Sequence, residues 1–169
     1  MNQVPAVSQV CQEIKDLAEG RRVWIATAES CTGGLIGGAL TDLSGSSHYY
    51  WGGVVAYHNQ AKERLLGVPS QVLEEFGAVS SQTAKEMVTG LSDRTGVEVC
   101  LSVTGIAGPS GGTEEKPVGL VWFGIGNHRN CKTIEQNFKG DRVQIRSRAV
   151  AFGLSLLRDQ LAAIAKESK

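Results

Sequence analysis

VWIATAESCTGGLIGGAL, residues 23–40, is the stretch on which the fold turns. The apolar run VWIATA (23–28) has no alternation, so it reads as a strand buried on both faces, the pattern of a parallel sheet covered by helices on either side. It ends abruptly in serine, cysteine, threonine and two glycines. Leu35, Ile36, Ala39, Leu40 and Leu43 then fall at helical spacing up to Gly45. A strand, a glycine turn and a helix in that order form the front half of a βαβ unit.

The same alternation continues in both directions. Upstream, Val7, Val10, Ile14 and Leu17 mark an amphipathic helix ending near Gly20. Downstream, GGVVAYH (52–58) reads as a strand and NQAKERLLG (59–67) as a short helix closed by Gly67. A loop leads to a helix over 80–96 with a serine cap, then to a buried strand, VEVCLSVTG (97–105). IAGPSGGTEEKPVG (106–119) is too rich in glycine and proline for helix or sheet. LVWFGIG (120–126) and CKTIEQNF (131–138) form a hairpin through NHRN, and Asp141 caps a last helix running to about Ala165. The expectation is a single domain over 1–169, α/β in class, with three α/β/α layers on a mixed sheet.

Composition narrows the function. Seventeen basic residues balance seventeen acidic ones, so the chain lacks the basic excess that nucleic acid or a membrane surface requires, and neither is expected as a partner. No apolar stretch is long enough to span a bilayer, and MNQVPAVSQV lacks the pattern of a secretory signal, which together predict a cytoplasmic protein. Cys11, Cys31, Cys100 and Cys131 are widely spaced without histidines at ligand distance, so no metal is expected and the thiols read as free. Glycine is the outlier at 21 of 169 residues. Some loop needs unusual backbone freedom or close approach.

Ligands in such sheets gather where strands end in glycine-rich loops. Two loops qualify, Glu29–Gly34 and Thr104–Gly112. Each offers small side chains and amide donors for a phosphate or an oxyanion, and neither has the spacing of a Walker or dinucleotide fingerprint. Ser30 in the first loop is equally open to a role as cap, cradle or nucleophile. His48, His58 and His128 all read as surface residues rather than bases. Lys62, on the first turn of the helix after a strand, reads on spacing alone as a solvated helix lysine, and is the alternative candidate for a base, since burial and neighbouring cations lower a lysine's pKa toward neutrality.

AESCTGG (28–34), GSS (45–47), Y-x-N-x-x-K (57–62) with LLGV, GAVS (77–80), VTGIAGPSGGTEEKPVGLVWFG (103–124) and GDR (140–142) together resemble the CinA C-terminal-domain family. They occur in the family's order and cover nearly the whole chain. The resemblance implies a serine/lysine amidohydrolase that deamidates nicotinamide mononucleotide, without a cofactor, in pyridine-nucleotide salvage. A non-catalytic nucleotide-binding module tied to competence or DNA damage is the alternative.

On that resemblance Ser30 is the expected nucleophile and Lys62 its base, with amides of Cys31, Thr32 and Gly33 holding the oxyanion. Ser46 and Ser47 are rival nucleophiles. They lie at the far end of the strand that leads to Lys62, about 20 Å away at ~3.3 Å per residue. Tyr57 is assigned to the reacting centre or, with Trp51, to the cationic pyridinium ring. Trp51 is otherwise a core residue. Thr104, Gly105, Gly108, Arg142 and Arg146 are assigned to the phosphate and ribose. Lys116 is a candidate for depressing the pKa of Lys62. An exposed sheet edge predicts a homo-oligomer.

Overall fold

The computed structural model describes residues 6–167. The targeting pattern sought in the first ten residues extends into 1–5, outside the described residues. Five strands lie in the order β2-β1-β3-β4-β5. They are β1 (Ile25–Glu29), β2 (Tyr50–Val55), β3 (Val99–Gly105), β4 (Leu120–Gly126) and β5 (Cys131–Asn137). β1 pairs parallel with both β2 and β3, while β3–β4 and β4–β5 are antiparallel. The sheet is mixed, as the hairpin and the helical crossovers require.

Among the described residues six α-helices cover it: α1 (Val7–Glu19), α2 (Leu35–Thr41), α3 (Asn59–Leu66), α4 (Ser70–Phe76), α5 (Ser81–Thr95) and α6 (Arg142–Glu167). Helices α1, α2 and α6 pack on one face with Ile25, Leu101 and Phe123, and α3 to α5 pack on the other with Ala26, Ala28 and Cys100. The result is the expected three-layer α/β/α arrangement. β1 is buried at every position, which explains why its sequence shows no alternation. Among the described residues no helix is long and apolar enough to cross a membrane.

Several boundaries differ from the sequence reading. β1 starts at Ile25, leaving Trp24 exposed, and α2 stops at Thr41 rather than near Gly45. Residues 46–48 form a 3-10 turn, and the second strand covers 50–55 instead of 52–58. Helix α4 lies where a loop was expected. It is two turns long and fully buries only Leu73, too little for a periodic signal. Trp51 is half exposed, on the edge strand, and belongs to no core.

Three glycines place the site. Gly33 and Gly34 have φ of +64° and +94°, a left-handed pair that turns the chain from β1 into α2 and that side chains resist. On α5, a Cβ at Gly90 would overlap the Leu66 carbonyl, so glycine there allows α3 to sit directly against α5. That contact seats the helix carrying Lys62.

Candidate active site

Ser30 follows the last residue of β1, where its amide donates to the Val103 carbonyl at 2.9 Å. The neighbouring strand continues to Ala56, whose amide donates to the Glu29 carbonyl at 2.8 Å, and then turns into α3. His58 caps α3, its Nδ1 accepting from the Gln60 amide at 3.2 Å. One turn into the helix, Lys62 points back toward the sheet. Its Nζ donates to Ser30 Oγ at 3.0 Å, to the Ala56 carbonyl at 3.0 Å and to the Tyr57 carbonyl at 3.1 Å. The lysine is 1% exposed and the serine 7%.

This geometry fixes what each proton does. Two of the three directions open to the amine end on carbonyls, which only accept, so both must hold N–H bonds. The third ends on Ser30 Oγ. In the neutral amine that direction carries the lone pair, and Ser30 donates its hydroxyl proton to it. Burial lowers the lysine from its ordinary 10.5 to about 8, against a smaller opposing effect of the nearby Cys31 thiol. Roughly a tenth of the lysines are then neutral at pH 7. Lys116, assigned in the sequence to this task, instead donates to the Phe76 carbonyl at 2.6 Å and is not among the charges acting on Lys62.

Glu29, which the sequence reading left without a role, holds the turn around Ser30. Its carboxylate is 2% exposed and accepts four hydrogen bonds. Thr32 Oγ1 lies at 2.6 Å, and the amides of Gly34, Ile36 and Gly37 at 3.0, 3.1 and 2.8 Å. The negative side chain thus closes the N-terminal end of α2, where the amides would otherwise be free for an anion. The signal was present as an acid immediately before a Ser-x-Thr-Gly-Gly turn. Glu29→Gln points an amide N–H₂ at some of these donors, and should lower stability by about 1–3 kcal/mol. A thermal melt beside the wild type measures it.

The oxyanion donors are correspondingly fewer than expected. Gly33 spends its amide on the Ser30 carbonyl at 3.0 Å. Among the described residues, the amides of Cys31 and Thr32 donate to no oxygen, and they remain next to Ser30. The Cys31 thiol is 5% exposed and pushed up to about 12, chiefly by burial, which makes it a poor rival to the serine.

Arg146, expected at the phosphate or ribose, spends two of its three guanidinium nitrogens within the chain. Its Nε and NH2 donate to the Cys31 and Thr32 carbonyls at 3.1 and 3.0 Å, clamping the turn from α6. Arg142 is exposed and bridges the Gly108 carbonyl at 2.8 Å and the Tyr57 hydroxyl at 3.1 Å. Tyr57 is 57% exposed. Ser30, Lys62, Tyr57, Arg142 and Gly108 therefore form one connected rim. Thr104 turns away from it, its hydroxyl donating to the Ala78 carbonyl at 2.7 Å. A Cβ at Gly105 would meet Val121 and the Leu120 carbonyl, so that glycine serves the β3–β4 contact. Ser46 and Ser47 sit at the opposite end of β2 from Lys62, as the strand length predicts.

Fold and site together define an α/β protein with a buried serine–lysine pair at the carboxyl ends of its parallel strands. The family model described as CinA C-terminal domain matches residues 7–161, and the chain belongs to that family. It is 48% identical to the nicotinamide-nucleotide amidohydrolase PncC of Enterobacter agglomerans, over 84% of this chain and 87% of that protein. It is 47% identical to a CinA-like protein of Leptospira borgpetersenii, over 90% of this chain and 37% of that one. The chain thus spans little more than a third of that longer relative. The crystal structure of the competence/damage-inducible protein CihA from Agrobacterium tumefaciens is similar, with TM-score 0.89, 40% identity and coverage of 96% and 99%. A competence damage-inducible protein of Klebsiella pneumoniae gives TM-score 0.90 at 32% identity, with coverage of 94% and 98%.

Proposed function

We propose that this chain hydrolyses the carboxamide of nicotinamide mononucleotide to nicotinate mononucleotide and ammonia, through an acyl-enzyme on Ser30. The observation that carries the reading is the Lys62 amine, 1% exposed, held 3.0 Å from Ser30 Oγ with its other two directions taken by carbonyls. The similarity to the Enterobacter amidohydrolase over nearly the full length of both chains supports the choice of substrate.

Neutral Lys62 takes the Ser30 proton as Oγ bonds to the carboxamide carbon, and the carbonyl electrons move onto oxygen. The Cys31 and Thr32 amides are the donors nearest that oxyanion. When the tetrahedral species collapses, the C–N bond breaks and protonated Lys62 gives its proton to the departing nitrogen, releasing ammonia. Water then attacks the ester, Lys62 accepts its proton and returns it to Ser30 as nicotinate leaves. No redox change or cofactor enters these steps. The exposed ring of Tyr57 faces the pyridinium. Arg142 gives its guanidinium to the phosphate. The reaction serves cytoplasmic salvage of pyridine nucleotides.

Incubating purified protein with nicotinamide mononucleotide and measuring ammonia tests the reading. Release that follows enzyme concentration supports it. No release above blank at high enzyme concentration overturns it and leaves the non-catalytic binding module.

A further inference from the structure

Three peptide units run from Ser30 to Gly33. All are trans, so in each the carbonyl and the N–H point in opposite directions, and whatever holds the carbonyl also aims the amide. The Ser30 carbonyl accepts from the Gly33 amide at 3.0 Å. The Cys31 carbonyl accepts from Arg146 Nε at 3.1 Å. The Thr32 carbonyl accepts from Arg146 NH2 at 3.0 Å and from the Leu35 amide at 3.3 Å. Left over are the amides of Cys31 and Thr32, which meet no oxygen among the described residues.

A hydrogen bond accepted at a peptide carbonyl draws electron density onto that oxygen and makes the N–H of the same unit a stronger donor, and bonds in series reinforce one another. Arg146 reaches both free amides in this way. One path is direct, from Nε to the Cys31 carbonyl and so to the Thr32 N–H. The other takes two steps. NH2 acts on the Thr32 carbonyl, which strengthens the Gly33 N–H; that group bonds the Ser30 carbonyl, and so strengthens the Cys31 N–H.

We propose that Arg146 is a positioning residue of the reaction, whose guanidinium aims and polarises the two amides that receive the oxyanion. The role rests on the proposed function. Three further features fit it. Among the described residues no carboxylate pairs with Arg146, so its charge stays with the turn. Burial raises the Cys31 thiol, and Lys62 and Arg146 are the positive charges that oppose it, so the field of the guanidinium reaches the place where an anion forms. Helix α6 packs on the opposite face of the sheet from α3. A carbonyl held from α6 therefore turns its amide partner toward the side that carries Lys62.

Arg146→Gln should lower kcat by about 10–10²-fold, up to the loss of a whole oxyanion donor, and leave KM within about twofold, since the polarised amides act on charge that develops only in the transition state. Arg146→Lys keeps the charge and the side-chain stem but cannot fork across two carbonyls, and should fall between Arg146→Gln and wild type. It carries the test if a thermal melt shows Arg146→Gln unfolded. The rise of kcat/KM with pH should stay near pH 8 in both variants, because Arg146 is not among the charges acting on Lys62, and only the plateau should drop. A rise that moves along the pH axis would mean that the turn has carried Ser30 away from Lys62, and overturns the proposal in favour of a structural prop. A higher KM at unchanged kcat also overturns it, placing the guanidinium on the phosphate. If the wild type releases no ammonia, the amidase reading falls and this role with it. An active wild type beside an equally active Arg146→Gln removes the role alone.

Discussion

Ser30→Ala should abolish deamidation, by about 10⁴-fold or more in kcat, with the fold intact. The serine side chain touches one polar partner, Lys62 Nζ at 3.0 Å. Its loss removes the nucleophile but leaves the lysine its two carbonyls, so the cost in stability is about 1 kcal/mol. No neighbour takes over. Cys31 is adjacent in sequence, yet its thiol is buried and held protonated, and Ser46 and Ser47 lie at the other end of β2. Ammonia release under saturating substrate, with a thermal melt as control, measures both effects. Full turnover in this variant would remove Ser30 from the mechanism and return attention to the GSS turn.

Lys62→Met should lower kcat by about 10²–10⁴-fold, and its effect on stability should depend on pH in a direction opposite to that of an ordinary ion pair. The native lysine titrates near 8 and the unfolded one near 10.5. Between those values the unfolded chain binds the extra proton, so wild-type stability rises as pH climbs through the window. Below pH 8 the charged amine is buried at a cost of about 3 kcal/mol, which is the shift expressed as free energy. Methionine carries no such charge. It does strand the Ala56 and Tyr57 carbonyls at every pH. The variant should therefore compare best with wild type at pH 7, and lose ground as pH rises toward 10.5. Melting both proteins at pH 7 and pH 10 checks the sign. A difference that does not change with pH would mean that the native lysine titrates at its ordinary value. In the wild type, kcat/KM should rise toward a plateau above pH 8, as neutral Lys62 accumulates.

Much of this architecture was legible because the relevant signals are local. A strand without alternation, a glycine pair and a helical stripe give β1, the turn and α2 directly. The spacing from Tyr57 to Lys62 places an amine one helical turn after a strand. What escaped depends on distant parts of the chain. Arg142 and Arg146 are four apart on α6, and nothing in that spacing says that one clamps the Ser30 turn while the other reaches Tyr57. That division follows from how α6 crosses the sheet. Thr104 looked available in a glycine-rich loop, but the approach of Ala78 takes its hydroxyl. Trp51 illustrates the opposite error. Its size suggested burial, whereas its place on an edge strand leaves it half exposed.

The β1–β2 ladder pairs Ile25 with Tyr50 and Ala26 with Gly52, leaving Trp51 in a bulge that bears on how this sequence can change over descent. Nucleophile and base ride on adjacent strands, so their separation is inherited from the register of β1 against β2. From Gly52 onward that register is unbroken through Glu29 and Val55. A residue gained or lost in the strand after Gly52 would shift the amine by a full strand step, about 3.3 Å, and one gained or lost in α3 before Lys62 would turn it about 100° around the helix, either of which parts the pair. Ahead of Gly52 the ladder already accommodates one extra residue. Lineages of this chain should therefore vary in length up to Trp51, and hold the eleven positions that follow to a fixed count even where the residues themselves drift.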